Sequence, residues 1–234
     1  MCLEETMQSS LEVEKSPDPG IRLSSFTRGT KRRKAIPLKV DEKTREQYVQ
    51  NILDAFGRAT DDQAQRGRAW YRVAHDLANL IADGNVREGA GVLAALSANK
   101  SWRENERLAR GAYTEGPSGH TGDTIRKVER IMMGHDPEDV LPMSAKTGHF
   151  FRCILDPEDP DPIVIDRHAH DIAVGAVYGN DDRGLSSKQR YALLAHCYRE
   201  AGLRLEEIPS VVQAVTWVSH TERLTGRGFR PKSR

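Results

Sequence analysis

Nothing in this sequence of 234 residues stays apolar long enough to cross a bilayer as a helix, which takes about 20 consecutive apolar residues. Cysteine is scarce: Cys2, Cys153 and Cys197 are far apart and odd in number. That excludes a disulfide framework and a four-cysteine metal or cluster site, and it fits a reducing compartment. Net charge is missing too, with 35 basic against 34 acidic side chains, so the chain is not the polycation that many nucleic-acid binders are. The N-terminus lacks the basic start and apolar run of a signal peptide, and a cytoplasmic protein with no membrane partner is the expectation. No alternation of apolar and polar residues is long enough for a sheet, and no internal repeat occurs.

Charge is unevenly spread. The first 20 residues are acidic, Lys31-Arg32-Arg33-Lys34 is a basic run, and Arg223 to Arg234 is basic again. Such runs can touch phosphate but are most simply solvated tails. Residues 1–40 hold few large apolar side chains and cannot offset ordering entropy, so a disordered tail is expected there. Residues 41–226 then form one helical domain, and 227–234 a basic tail.

Within that domain, Tyr48, Ile52, Leu53 and Phe56 make one apolar stripe, and Trp70, Val73, Ala74, Leu77, Ala78 and Ile81 another. Val86 to Ala98 is apolar on nearly all sides, which predicts a buried central helix. Helices follow over Trp102–Tyr113, from a cap at Asp123 or Thr124, from Pro137, over Ser144–Leu155, over Arg167–Tyr178 behind an N-cap at Asp166, and over Ser187–Ala201 and Pro209–Leu224. The proline-rich stretch from Asp156 to Pro162 is a loop, and Ile163-Val164-Ile165 a short extended run. The fold class is all-α, with eight or nine helices and a single chain as the working unit.

Three segments in order carry a resemblance: Leu96-Ser97-Ala98-Asn99, then Leu141-Pro142-Met143-Ser144-Ala145-Lys146-Thr147-Gly148, then Ile163-Val164-Ile165-Asp166-Arg167-His168-Ala169. Together they resemble the helix-hairpin-helix DNA glycosylase superfamily, the group of endonuclease III-like enzymes. Its members carry a Leu-Ser-Ala-Gln-like stretch, a Leu-Pro-Gly-x-Gly-x-Lys-Thr-Ala hairpin, and a Val-Asp-Thr-His segment. The resemblance implies a catalytic carboxylate at Asp166, a nucleophilic amine at Lys146, and at Asn99 a polar side chain that fills the space left by a flipped base. Met143-Ser144-Ala145 replaces the hairpin glycines whose backbone approaches a phosphate, and the four-cysteine cluster motif of some members is absent. With Trp102, Asn105 and Gln213-Ala214-Val215-Thr216-Trp217 added, the chain also looks like a phage-type branch, the α-glutamyl/putrescinyl-thymine pyrophosphorylase-like proteins associated with hypermodified DNA.

The implied chemistry is coherent. Breaking an N-glycosidic bond builds positive charge on the sugar, and a fixed carboxylate stabilises it. Backbone cleavage adds attack by a neutral amine and a Schiff base. The target base must leave the stack and enter a pocket. DNA is thus the expected partner. Asp166 and Lys146 are the catalytic candidates, and Asn99, Trp102, Asn105, Arg167 and His168 the substrate-binding ones. No cofactor is called for. A metal site from Asp166, His168, His170 and Asp171, echoing the His-Asp pair of phosphohydrolases, is a minor alternative. The other readings are a base-hypermodification transferase, with Lys146 and Arg167 binding phosphate, and a non-catalytic DNA- or protein-binding module.

Overall fold

The computed structural model describes residues 34–179 and 182–224. The acidic N-terminus, the basic residues 31–33, Cys2 and the basic tail 227–234 lie outside the described residues. Ten helices are present among them: α1 (Glu42–Gly57), α2 (Asp61–Ile81), α3 (Val86–Leu96), α4 (Trp102–Thr114), α5 (Gly122–Met132), α6 (Pro137–Val140), α7 (Lys146–Leu155), α8 (Arg167–Val174), α9 (Lys188–Leu205) and α10 (Pro209–Leu224). No strand forms among the described residues.

Short polar side chains set most of the helix starts, because they accept the N–H groups that a first turn leaves without partners. The Thr44 N–H donates to Asp41 Oδ1 at 2.8 Å. Thr60 and Gln63 form a reciprocal capping box on α2. Asn85, Ser101, Asp136 and Ser187 cap α3, α4, α6 and α9 in the same way. The cap of α5 is Thr121 rather than Asp123 or Thr124, two or three residues earlier than the sequence predicts. The central helix is shorter than expected at its C-terminus. Ser97 turns its hydroxyl back to the Ala94 carbonyl at 2.8 Å, and Asn99 adopts a left-handed φ of 58°, so α3 stops at Leu96. α8 likewise stops at Val174, before a left-handed Gly175. In contrast α9 runs on to Leu205.

The apolar side chains sort into two cores. One gathers α2 through α7 around α3, which is buried from Gly89 to Leu96. The other gathers α1, α8 and α9. Ile36 is buried in this second core, and its carbonyl accepts from Arg190 Nε. The ordered domain therefore starts before residue 41, where the sequence alone would begin it.

Two features join the cores. α10 sends Ala214 into the first and Val212 into the second. The run Ile163-Val164-Ile165 alternates between them, Val164 into the first, Ile163 and Ile165 into the second. This extended run has no strand partner, and buried backbone groups must be paired. Tyr191 supplies the pairing: its hydroxyl accepts the Ile165 N–H at 3.1 Å and donates to the Ile163 carbonyl at 2.7 Å.

Two close approaches lock this frame. A Cβ at Gly67 would lie 2.5 Å from Val215 Cα, so glycine lets α2 and α10 cross in backbone contact. A Cβ at Gly148 would lie 2.3 Å from Met143 Cα. The α6–α7 connection folds down onto that bare position, which fixes where α7 begins and therefore where Lys146 stands.

Candidate functional site

The seam between the two cores opens into a cavity of about 110 Å³. A single water needs roughly 10–15 Å³ by the same measure, so the space suits a small ligand. Helix N-termini surround it. Ser101 and Trp102 begin α4, Lys146 begins α7, and Asp166 begins α8, and all four line the cavity.

Asp166 is held by its own helix. Oδ1 accepts the N–H groups of His168 at 2.9 Å and Ala169 at 2.8 Å. No hydrogen bond engages Oδ2 among the described residues, and Asp166 lines the cavity. The predicted cap is thus present, and it fixes the carboxylate without consuming it.

Lys146 is an anomaly of placement. Its ammonium forms no ion pair among the described residues, and Ala145 gives the α7 terminus no side-chain cap. A cation there opposes the helix dipole, at a cost of about 0.3–1 kcal/mol. Lys146 is half-buried there and lines the cavity. Lys100, also in the wall, is by contrast paired with Glu104 at 2.7 Å.

Aromatic rings build the walls. Trp70 is their hub, its ring centroid 4.9 Å from Tyr71, 4.9 Å from Trp102, 5.9 Å from Phe150 and 6.3 Å from Trp217. Such a set can hold a flat ring by stacking. Asn105 closes the wall beneath Trp102. It is buried, its Nδ2 donates to the Leu93 carbonyl at 3.1 Å, and its Oδ1 has no partner. An unsatisfied buried acceptor costs about 1–3 kcal/mol.

Of the residues predicted from sequence, the fold thus brings Asp166, Lys146, Trp102 and Asn105 to one cavity. Asn99 is exposed and does not line it, although its neighbours Ser97 and Lys100 do. Arg167 and His168 stand behind Asp166 instead of in the cavity wall. Arg167 Nε donates to His168 Nε2 at 3.1 Å, and the His168 ring packs against Trp217 and His220. Gln213 and Trp217, the ends of a segment singled out in the sequence, line the cavity as well, whereas Trp70, Tyr71 and Phe150 belong to it without a signal of function, because each lies on an ordinary amphipathic helix face.

The metal alternative does not assemble. No group of three or more His, Cys, Asp or Glu side chains converges among the described residues. His170 is fully buried and gives its Nδ1–H to Asp171 Oδ1 at 2.8 Å, and Asp171 is clasped by Arg183. The His-Asp pair is thus a structural unit of the second core.

Residues 34–224 match the family described as "Family of unknown function (DUF7178)". The chain belongs to that family. The matched segment takes in both cores, the seam between them and every wall residue of the cavity, so the site described here lies wholly within the family's domain. No curated protein and no solved structure matches the chain. No helix among the described residues is long and apolar enough to cross a membrane.

A second cavity, of about 290 Å³, lies against the C-terminal ends of α1, α8 and α10 and is lined by Arg58, Gly175, His220 and Arg223. Three carbonyl-rich helix ends meet there, and the two arginines complement them. This explains the charges without a ligand.

Three histidines around the seam are held neutral. Burial lowers the pKa of His149 and His168. Burial, with His168 adding to it, pushes His220 down to about 4. A group whose folded pKa is depressed contributes stability above its unfolded pKa and loses it as pH falls toward the folded value. The domain is therefore expected to lose stability from pH 6.5 down to about 4, with a slope of at most about 1.4 kcal/mol per pH unit for each proton. Urea unfolding across that range measures it, and a His220→Phe variant should show a shallower slope. A flat profile in the wild-type chain would contradict the burial argument.

Proposed function

We propose that this protein is a DNA-acting enzyme that cleaves or remodels a modified base held in the seam cavity, with glycosylase/lyase-like chemistry. The observation that carries the reading is Asp166. One oxygen is tied to the start of α8, the other accepts no hydrogen bond among the described residues, and Asp166 lines a cavity walled by tryptophans at which Lys146, without an ion pair among those residues, also stands. The free oxygen stabilises the positive charge that grows on the sugar as the glycosidic bond lengthens. Trp70, Trp102 and Trp217, which line the cavity, stack on the extruded base. Lys146, once it has passed a proton to the departing base or to water, attacks the sugar carbon as that base leaves; ring opening gives the Schiff base, and loss of a proton from the adjacent carbon expels the 3′-phosphate and opens the strand, after which water releases the lysine.

The ordered resemblance of three segments to the glycosylase superfamily supports the same assignment. So does the small size of the cavity, which suits one base rather than a polymer segment. Incubation with duplexes carrying uracil, oxidised pyrimidines, hydroxymethyluracil or an abasic site tests it. Borohydride is expected to trap a covalent protein–DNA adduct with the wild-type chain and none with Lys146→Ala. Loss of the base without trapping would restrict the activity to a glycosylase. No product on any of these duplexes would overturn the reading.

One observation favours a second function on the same pocket. An uncapped helix N-terminus beside an unpaired lysine is also suited to a phosphate group. In a base-hypermodification transferase, Lys146 would hold the leaving pyrophosphate of an activated base instead of attacking carbon. Mass spectrometry of nucleosides from DNA made with and without the protein separates the two: a new modified nucleoside identifies the transferase.

A further inference from the structure

Asp166 owes its place to the chain that leads into it. The run Ile163-Val164-Ile165 is extended, and Asp166 itself continues it with φ −97° and ψ −174°. Side chains of an extended chain alternate in direction. Ile163 and Ile165 enter the second core and Val164 enters the first, so Asp166 follows on the side of Val164. Both Val164 and Asp166 line the seam cavity. A slip of one residue would exchange the two sides and turn Asp166 toward the second core. No neighbouring strand sets this register, since none forms among the described residues.

One residue of α9 sets it instead. Tyr191 is 8% exposed and is not part of the cavity wall. Its hydroxyl accepts the Ile165 N–H and donates to the Ile163 carbonyl, on the same edge of the run. Burial raises the Tyr191 pKa above its ordinary value, so the hydroxyl keeps the proton it donates. The ring of Tyr191 has a second neighbour. His149 stacks on it, with centroids 5.1 Å apart and planes at 21°, and His149 belongs to α7, one turn beyond Lys146. We propose that Tyr191 is a positioning residue for the seam cavity: its hydroxyl fixes the register that presents Asp166, and its ring braces the helix that carries Lys146. This rests on the reading of Asp166 as the reacting carboxylate. It places the control of that carboxylate in the second core, outside the cavity.

Tyr191→Phe tests this, because it removes the hydroxyl and keeps the ring. Ile52→Val, at a fully buried position of the same core, is the control: it costs stability on a similar scale and removes no hydrogen bond. Amide hydrogen exchange in the full chain follows His168 and Ala169, whose N–H groups donate to Asp166 Oδ1. In Tyr191→Phe the run loses its register and the cap loosens, so these two amides are expected to exchange roughly tenfold faster or more relative to the amides of α9. In Ile52→Val all of them should speed up together. On a duplex that the wild-type chain turns over, Tyr191→Phe is expected to lose roughly a hundredfold in single-turnover rate at saturating protein, with half-saturation unchanged, as follows from a misplaced group. Ile52→Val should keep the wild-type rate.

Wild-type protection of the His168 and Ala169 amides in Tyr191→Phe overturns the proposal. Where Tyr191→Phe does not fold, the wild-type chain decides. An Ile165 amide that exchanges as slowly as those of α9 supports the bond to the phenol, and one that exchanges like an exposed loop amide overturns it. The outcome is separable from that of the enzymatic reading. Loosened amides in a protein that turns over no duplex keep the positioning role and remove the enzyme. Turnover that Tyr191→Phe leaves at the wild-type rate does the reverse.

Discussion

Asp166→Asn is expected to lower the rate of base removal by roughly a hundredfold to a thousandfold and to leave the fold in place. The two effects separate because the carboxylate does two jobs with two different oxygens. Oδ1 caps α8 by accepting the His168 and Ala169 N–H groups. Asparagine caps a helix about as well as aspartate does, so the structural job survives. The loss of favourable charge at the helix N-terminus costs no more than about 1 kcal/mol. The catalytic job does not survive, since a neutral amide cannot balance a cationic sugar.

The comparison with Asp166→Ala sharpens the test. Alanine removes the cap as well, at about 0.5–2 kcal/mol, so both stability and rate should fall. Single-turnover assays on the best duplex, paired with urea unfolding of all three proteins, read the two axes independently. An asparagine variant with wild-type rate would show that Asp166 is a cap and nothing more.

Asp171→Ala is expected to be the most destabilising single change in the second core. Arg183 donates Nε to Oδ1 at 2.9 Å and Nη2 to Oδ2 at 2.6 Å, His170 shares Oδ1, and the Tyr178 N–H reaches Oδ2 at 3.4 Å. Asp171, Arg183 and His170 are all buried. Removing the carboxylate takes the Asp171 charge and two hydrogen bonds away from a buried guanidinium, and breaking a buried pair in this way costs about 3–5 kcal/mol. For a domain of this size that is a fall in Tm on the order of 10 °C. Removing both charges is much milder, because the penalty comes from the uncompensated partner. Asp171→Leu combined with Arg183→Met should therefore recover most of the lost stability. A double variant no better than the single one would show that the carboxylate acts through the Tyr178 loop rather than through Arg183.

The pH dependence of this unit has a definite sign. Burial opposes ionisation of Asp171, but the hydrogen bonds from His170 and Arg183 and the guanidinium charge outweigh it, and the pKa is lowered from 3.8. Its contribution to stability is present above the ordinary carboxylate range and is lost only as pH falls below 3.8. Acid unfolding above that point belongs to the buried histidines instead.

Adjacent residues could mislead about this part of the chain. In sequence, His168, His170 and Asp171 sit beside Asp166 and read as one chemical cluster. The turn of α8 separates them. Asp166 faces the seam cavity, His170 and Asp171 face the second core, and His168 supports Trp217 from behind. Residues two or five apart on a helix point in different directions, and Asp166, as the N-cap, lies half outside the helix, so even its i+4 neighbour His170 does not share its site. Asn99 misleads in a similar way. Its left-handed backbone ends α3 and turns the side chain to solvent.

What the sequence determined by itself was local. Helix positions followed from apolar periodicity, and most helix starts from a Ser, Thr, Asp or Asn that offers an oxygen to free N–H groups. The cap at Asp166 and the buried α3 were legible for that reason, since both depend on residues within one or two turns. The cavity depended on contacts between residues far apart in the chain. Trp70 meets Trp217, Tyr71 meets Gln213, and Asn105 is pinned by Leu93, through the packing of α2 on α10 and of α4 on α3. Close packing at Gly67 and Gly148 fixes those distances. Which side chains became wall and which became core was therefore decided only when two separate cores met at the seam, because burial is a property of the assembled surfaces and not of any one segment.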